Sequence, residues 1–144
     1  MMTMLSNDVL KHFGFLVNEF GFVKLPEYHY VREIHNEFAG GGMIIKLTYD
    51  GGFWLNILVP KFDISPILNG EKRTVDYDNS LFKVYDLGNL DLDKKIYNAV
   101  SIENFSEKEL WYYARLLREN PEILKGDLRK LKWKFWLLKK LRLR

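Results

Sequence analysis

The stretch Met43-Ile44-Ile45-Lys46-Leu47-Thr48-Tyr49, followed by Asp50-Gly51-Gly52 and then Phe53-Trp54-Leu55-Asn56-Ile57-Leu58-Val59, decides the fold. Two β-rich runs flank a glycine pair, which is the signature of a hairpin. Burial selects its register. A two-residue loop, Gly51-Gly52, sets Tyr49 opposite Trp54 and mixes Lys46, Thr48 and Asp50 with Phe53, Leu55 and Ile57 on one face. A three-residue loop sets Tyr49 opposite Phe53, Leu47 opposite Leu55 and Ile45 opposite Ile57. One face is then wholly apolar, and the other carries Lys46, Thr48, Trp54 and Asn56. A slip of one residue turns every side chain over, so the apolar face selects the three-residue loop with a glycine bulge. Trp54 then belongs to the more exposed face or lies beneath a loop.

Upstream, Val9, Leu10, Phe13, Leu16, Val17 and Phe20 form one helical stripe, which predicts a helix from about Asn7 to Phe20. Ser6, Asn7 and Asp8 offer caps. Gly21 is its expected stop, and Gly14, off the stripe, is expected to weaken the helix without interrupting it. Phe22 to Leu25 reads as a short strand ended by Pro26. Tyr28 to Ile34 alternates loosely, and His35 to Phe38 reads as a strand running into Gly40-Gly41-Gly42. Those glycines precede a strand rather than a helix, so they make a turn and not a phosphate loop.

Downstream, Pro60 to Ser80 is rich in turn residues, yet too apolar for a disordered linker; it reads as a lid or an edge excursion. Ser80 to Leu87 is a further strand. Asp91 to Ser101 is a short helix or irregular, with Leu92, Ile96, Tyr97 and Val100 as its apolar side. Ser106-Glu107-Lys108-Glu109 has the form of a capping box. It opens a helix with Leu110, Tyr113, Ala114 and Leu117 as its stripe and Trp111 on the flank. Asn120-Pro121 caps a new turn, with proline at its first position, and Gly126-Asp127 stops that turn and caps the next. The last, basic amphipathic helix spans about residues 127–144. Leu128, Leu131, Phe135, Leu138 and Leu141 run along one side, and Trp133, Trp136 and Leu137 widen the apolar arc.

At 144 residues the chain suits one domain, and 47% hydrophobic residues provide a core. The absence of cysteine excludes disulfides, thiolate metal sites and a cysteine nucleophile, and suits a reducing cytoplasm. The start, Met1-Met2-Thr3-Met4-Leu5-Ser6-Asn7-Asp8, lacks the form of a secretory signal, and no stretch has the length of a membrane span. The expected location is cytoplasmic. The net charge of +3 conceals an asymmetry: Lys125 to Arg144 holds nine basic residues and one acid, a net +8, which leaves −5 on residues 1–124.

No motif of catalysis stands out. His12, His29 and His35 lack metal-ligand spacing, and no G-x-S-x-G elbow or phosphate-loop pattern occurs. Asp76-Tyr77-Asp78 and Asp91-Leu92-Asp93, with Asp86 between them, have hard oxygen ligands but lack the spacing of a calcium loop. They read as solvated loops or as an acidic recognition surface for a basic protein. For the C-terminal helix three readings compete: packing on the sheet, contact with a membrane surface, and contact with nucleic acid.

In layout the chain resembles the small bacterial immunity-like proteins that accompany polymorphic toxins. The resemblance is carried by Asn18-Glu19-Phe20-Gly21-Phe22, by Tyr49-Asp50-Gly51-Gly52-Phe53-Trp54, by Glu109-Leu110-Trp111-Tyr112-Tyr113-Ala114-Arg115-Leu116-Leu117 and by Asn120-Pro121-Glu122-Ile123-Leu124-Lys125-Gly126-Asp127. It implies an α+β scaffold that binds and neutralises a cognate protein, with no active site and no cofactor.

The reading is therefore an α+β domain: an N-terminal helix, a mainly antiparallel central sheet, and C-terminal helices packed on one face. The expected function is non-enzymatic protein binding, with a toxin as its most specific partner. Alternatives are a nucleic-acid or anionic-membrane adaptor working through the basic helix, or a homodimer. Trp54, Asp76, Asp78, Asp86, Asp91, Asp93, Trp133 and Trp136 are the expected partner-binding residues; no catalytic or metal residue is assigned.

Overall fold

The computed structural model describes the backbone of residues 4–142 and the side chains of 7–141. Ser6, Asn7 and Asp8, expected as caps, lie within the first helix instead, while Leu143 and Arg144 of the expected last helix fall outside the described residues. The architecture is α+β, as read from the sequence. Its centre is an antiparallel sheet of β1 (Val23–Lys24), β2 (Tyr28–Tyr30), β3 (Glu33–Gly40), β4 (Met43–Tyr49), β5 (Phe53–Pro60) and β6 (Phe82–Asp86). The order is β1-β3-β4-β5-β6, and β2 shares the β3 edge with β1.

The central hairpin has the expected register: Tyr49 pairs with Phe53, Leu47 with Leu55 and Ile45 with Ile57. Gly51 takes the left-handed conformation (φ 72°) that the three-residue turn requires. The preceding hairpin turns through Gly41 and Gly42, both with positive φ. A Cβ on Gly41 would lie 2.9 Å from the Leu124 carbonyl oxygen, so this turn also needs glycine for close approach.

Ile45, Leu47, Leu55 and Ile57 form the floor of the main core. Above them pack α1 (Met4–Phe13), α5 (Phe105–Glu119), α6 (Pro121–Leu124) and the first turns of α7 (Arg129–Arg142). Each of those four sheet residues is at most 2% exposed, which places them among the strongest contributors to stability.

Several local expectations need correction. The first helix already includes Met4, ahead of the expected Asn7, and it is divided at Gly14 into α1 and α2 (Phe15–Asn18). A Cβ at Gly14 would stand 2.6 Å from the Leu10 carbonyl oxygen, so the chain tightens there in a way only glycine permits. The tightening buries Phe15, off the expected stripe, and leaves Val17 exposed. Gly21 does stop the helix: it takes the left-handed conformation (φ 72°), its amide donates to Val17 O (3.2 Å) and that of Phe22 to Leu16 O (2.9 Å).

At α5 the cap is Asn104, not Ser106: the Asn104 side chain accepts from the Glu107 amide at 2.9 Å. Glu109 does not reach back. Instead it accepts from the Phe53 amide at 2.8 Å and ties the helix to β5. Tyr112 and Leu116 are buried as well as Leu110, Ala114 and Leu117, because α5 is packed on two sides. Its second side meets α4 (Lys95–Ala99), where the Tyr97 and Tyr112 rings stand 5.1 Å apart. Pro121 takes the first position of α6, as expected. Asn120, however, donates to Leu116 O and accepts from the Lys130 ammonium (both 2.7 Å), so it staples α5 to α7 rather than capping.

Candidate functional site on the open face of the sheet

Strand alternation gives the sheet a second face, turned away from the helices. It presents Glu33, His35, Glu37 and Ala39 of β3, then Ile44, Lys46 and Thr48 of β4. Trp54, Asn56 and Leu58 of β5 and Val84 of β6 complete it. The excursion between β5 and β6, which includes α3 (Ser65–Leu68), folds over one part of this face. There Ile67 and Phe82 bury Ala39, Ile44 and Leu58 in a second, smaller core, with Phe62 and Tyr77 packed beside it. The other part stays open as a cleft of about 610 Å³, walled by Tyr30, Trp54, Tyr77 and Phe82 and floored by Thr48, Asn56 and Leu58.

Between the covered and open parts lies a polar cluster. Glu37, directly opposite Lys46 in the ladder, is 1% exposed. Its carboxylate accepts from the Thr74 hydroxyl and from the Tyr28 hydroxyl, the latter at 3.2 Å. The Tyr28 and Thr74 oxygens are 2.8 Å apart. The Lys46 ammonium donates to Thr74 at 3.2 Å and stands 3.8 Å from the Glu37 carboxylate. Burial raises the Glu37 pKa against the opposing pull of Thr74 and Lys46. Burial likewise lowers that of Lys46, with Glu37 opposing. Each charge thus needs the other, since a buried ion without its partner is strongly destabilising.

His35 sits beside this cluster, 2% exposed and stacked on Tyr28 with ring centroids 4.9 Å apart. Burial first, then the nearby charges of Lys46 and Arg73, push its pKa down to about 4. At neutral pH the ring is uncharged. The hydrogen-bond pattern suits a proton on Nε2, which donates to Glu33 (3.1 Å), while Nδ1 accepts from the Thr48 hydroxyl (3.4 Å). Arg73 lies over the outer side of Tyr28, 5.2 Å from the ring centroid. The acid and the cation at this face are therefore satisfied by one another and by Thr74 and Tyr28, and the imidazole by Glu33 and Thr48. Together they fix the excursion to the sheet and hold the cleft open. Among the described residues, no group of three or more His, Asp and Glu is placed to hold a metal ion.

The expected site residues separate into three places. Trp54 lines the cleft, half-buried, on the face its register assigned. Asp76 and Asp78 lie in the excursion that forms the cleft wall, exposed, each also accepting from a local amide: Arg73 at 2.7 Å for Asp76, and Ser80 at 2.8 Å for Asp78. Asp86 caps the turn at Gly88 (2.9 Å) and Asp93 caps Lys95 (3.2 Å). Asp91 is the correction, because it is 3% exposed and presents no surface to a partner. Burial works against its charge, but the amides of Ile96 (3.0 Å) and Tyr97 (2.9 Å) outweigh it and hold the carboxyl below its usual range. Asp91 pins α4. Trp133 and Trp136 lie apart from all of these, on the outer side of α7, and are 53% and 51% exposed.

The cluster of Tyr28, His35, Glu37, Lys46 and Thr74 is absent from the sequence reading, although part of its signal is present. A two-residue turn at Gly41-Gly42 pairs Gly40 with Met43, and counting back along the ladder then sets Glu37 opposite Lys46. Thr74 has no such signal, since its place depends on how the excursion folds.

The fold and cleft define an α+β protein with a helix-covered antiparallel sheet and one open sheet face. Compared with known protein families, with curated proteins and with solved structures, the chain matches none. Among the described residues, no helix is long and apolar enough to cross a membrane.

Proposed function

We propose that this chain is a non-enzymatic protein-binding module of the cytoplasm that seats its partner in the open sheet-face cleft, in the manner of an immunity protein neutralising a toxin. The observation that carries the reading is the make-up of that cleft. Tyr30 and Trp54 flank a half-buried amide, Asn56, and Arg73 stands near the rim over Tyr28. Tyr, Trp and Arg are the side chains that most often dominate binding at protein interfaces. The charged groups beneath are occupied with one another, which favours a rigid docking surface over an acid–base centre. A basic partner suits the site, because Asp76 and Asp78 stand exposed on the excursion beside the cleft, next to its lining residues Val75, Tyr77 and Asn79, and residues 1–124 carry −5.

The test is co-expression with the products of the genes that flank this one, among which a toxin is expected. A stable complex and protection of the host are expected with one of them. Both should be lost in Tyr30→Ala/Trp54→Ala while the monomer still folds. Failure of every neighbouring product to bind, or a complex indifferent to that double substitution, contradicts the reading.

A further inference from the structure

A helix that packs on a core needs one apolar stripe, and α7 has two. Leu131, Phe135 and Leu138 follow one another at spacings of four and three, and this stripe turns towards the protein: Leu131 is 1% exposed, and the Phe135 ring, 37% exposed, still meets Tyr85 edge-on at 6.3 Å. Trp133 and Trp136 lie about half a turn away from it, at roughly 100° per residue. Trp133 and Trp136 are 53% and 51% exposed, and Leu141 is 54% exposed. Arg129 and Lys140, at spacings of four from Trp133 and Trp136, share the outer side, and Lys132 and Lys139 flank it. The Lys140 ammonium lies 4.7 Å from the Trp136 ring centroid, and that of Lys134 lies 5.2 Å from Trp133.

We infer that this outer face of α7 docks on an anionic lipid surface, with Trp133 and Trp136 seated at the headgroup level and the lysines paired with lipid phosphates and carboxylates. Indole with flanking lysine is the composition of interfacial helices, and anionic headgroups complement the +8 carried by residues 125–144. A second copy of the chain fits less well, because pairing this face with itself would oppose two basic helices. Single-stranded nucleic acid also fits less well. Bases stack on open aromatic faces, and here Lys134 and Lys140 lie over the rings. The proposal uses a different surface from the sheet-face cleft and stands or falls apart from it.

The full chain is sedimented with vesicles of phosphatidylcholine alone, and with vesicles in which roughly one-third of the lipid is phosphatidylserine. Partitioning is expected only with the anionic vesicles. It should fall at least ~tenfold in Trp133→Ala/Trp136→Ala, and again in Lys132→Gln/Lys139→Gln/Lys140→Gln. Trp111→Ala, an exposed indole on α5 (49%), should leave it unchanged. Because all these side chains are exposed, circular dichroism should show every variant folded. Equal partitioning to both lipids, no partitioning, or indifference to the α7 variants overturns the proposal. So does tighter binding to a single-stranded oligonucleotide than to the vesicles, or a dimer that the tryptophan variant dissociates.

Discussion

On the helix side of the sheet, Ile45, Leu47, Leu55 and Ile57 belong to the main hydrophobic cluster, and the polar contacts of that layer are few, such as the Glu109 carboxylate on the Phe53 amide. On the other side, the residues interleaved with them, Lys46, Thr48, Trp54 and Asn56, meet a buried glutamate, a neutral imidazole and an open cleft. Both faces belong to the same strands, so propensity does not distinguish them. The helix face is specified by volume and tolerates apolar exchange, whereas the open face is specified by paired charges that tolerate almost nothing singly. Polar specification of this kind suits a surface whose shape has to be kept while it stays accessible.

The largest effect that would separate the faces is Glu37→Ala. It strands Lys46 in the interior and should cost ~3–5 kcal/mol in denaturant unfolding. Glu37→Leu combined with Lys46→Met should recover most of that loss, because no uncompensated charge remains. A double variant as unstable as the single one would deny that the pair is what matters. On the helix face, Leu55→Ala should cost ~2–5 kcal/mol through cavity formation. No partner substitution should rescue it by charge.

A third probe is pH. His35 has its folded pKa lowered from 6.5 to about 4, so the unfolded chain binds its proton first. Stability from this residue is therefore present above pH 6.5 and is lost as the pH falls towards 4. The loss amounts to ~3 kcal/mol at most at 1.36 kcal/mol per pH unit. His35→Gln should flatten the stability profile across that window; an unchanged slope would mean that the ring is not held neutral by its surroundings. The smallest effect on stability belongs to Trp54→Ala. At a half-buried position on the open face it should change unfolding by ~1 kcal/mol or less, and yet remove partner binding.

Much of this comparison is legible in the chain. The hairpin register follows from the demand that one face be apolar, and the glycine turns and the proline at α6 follow from backbone sterics. Other features depend on contacts that are distant in sequence. Glu109 looks like half of a capping box, but the Phe53 amide, brought to it by the β5–α5 contact, takes its carboxylate instead. Asp91 looks like a solvated loop residue because nothing nearby in sequence announces that α4 and α5 will cover it. Trp133 and Trp136 look like a widened core stripe, and only the docking angle of α7 shows that they point outward. Local pattern fixes periodicity and the glycine turns; it does not fix which of two apolar stripes meets the sheet.

The most direct measurement is amide hydrogen exchange on the chain, free and in complex with whichever co-expressed neighbouring gene product binds it. Slowed exchange in Trp54 to Asn56 and in Thr74 to Asn79, with the amides of α5 unchanged, is the predicted result. Protection confined to the helical side, with the cleft residues exchanging as in the free chain, would contradict it.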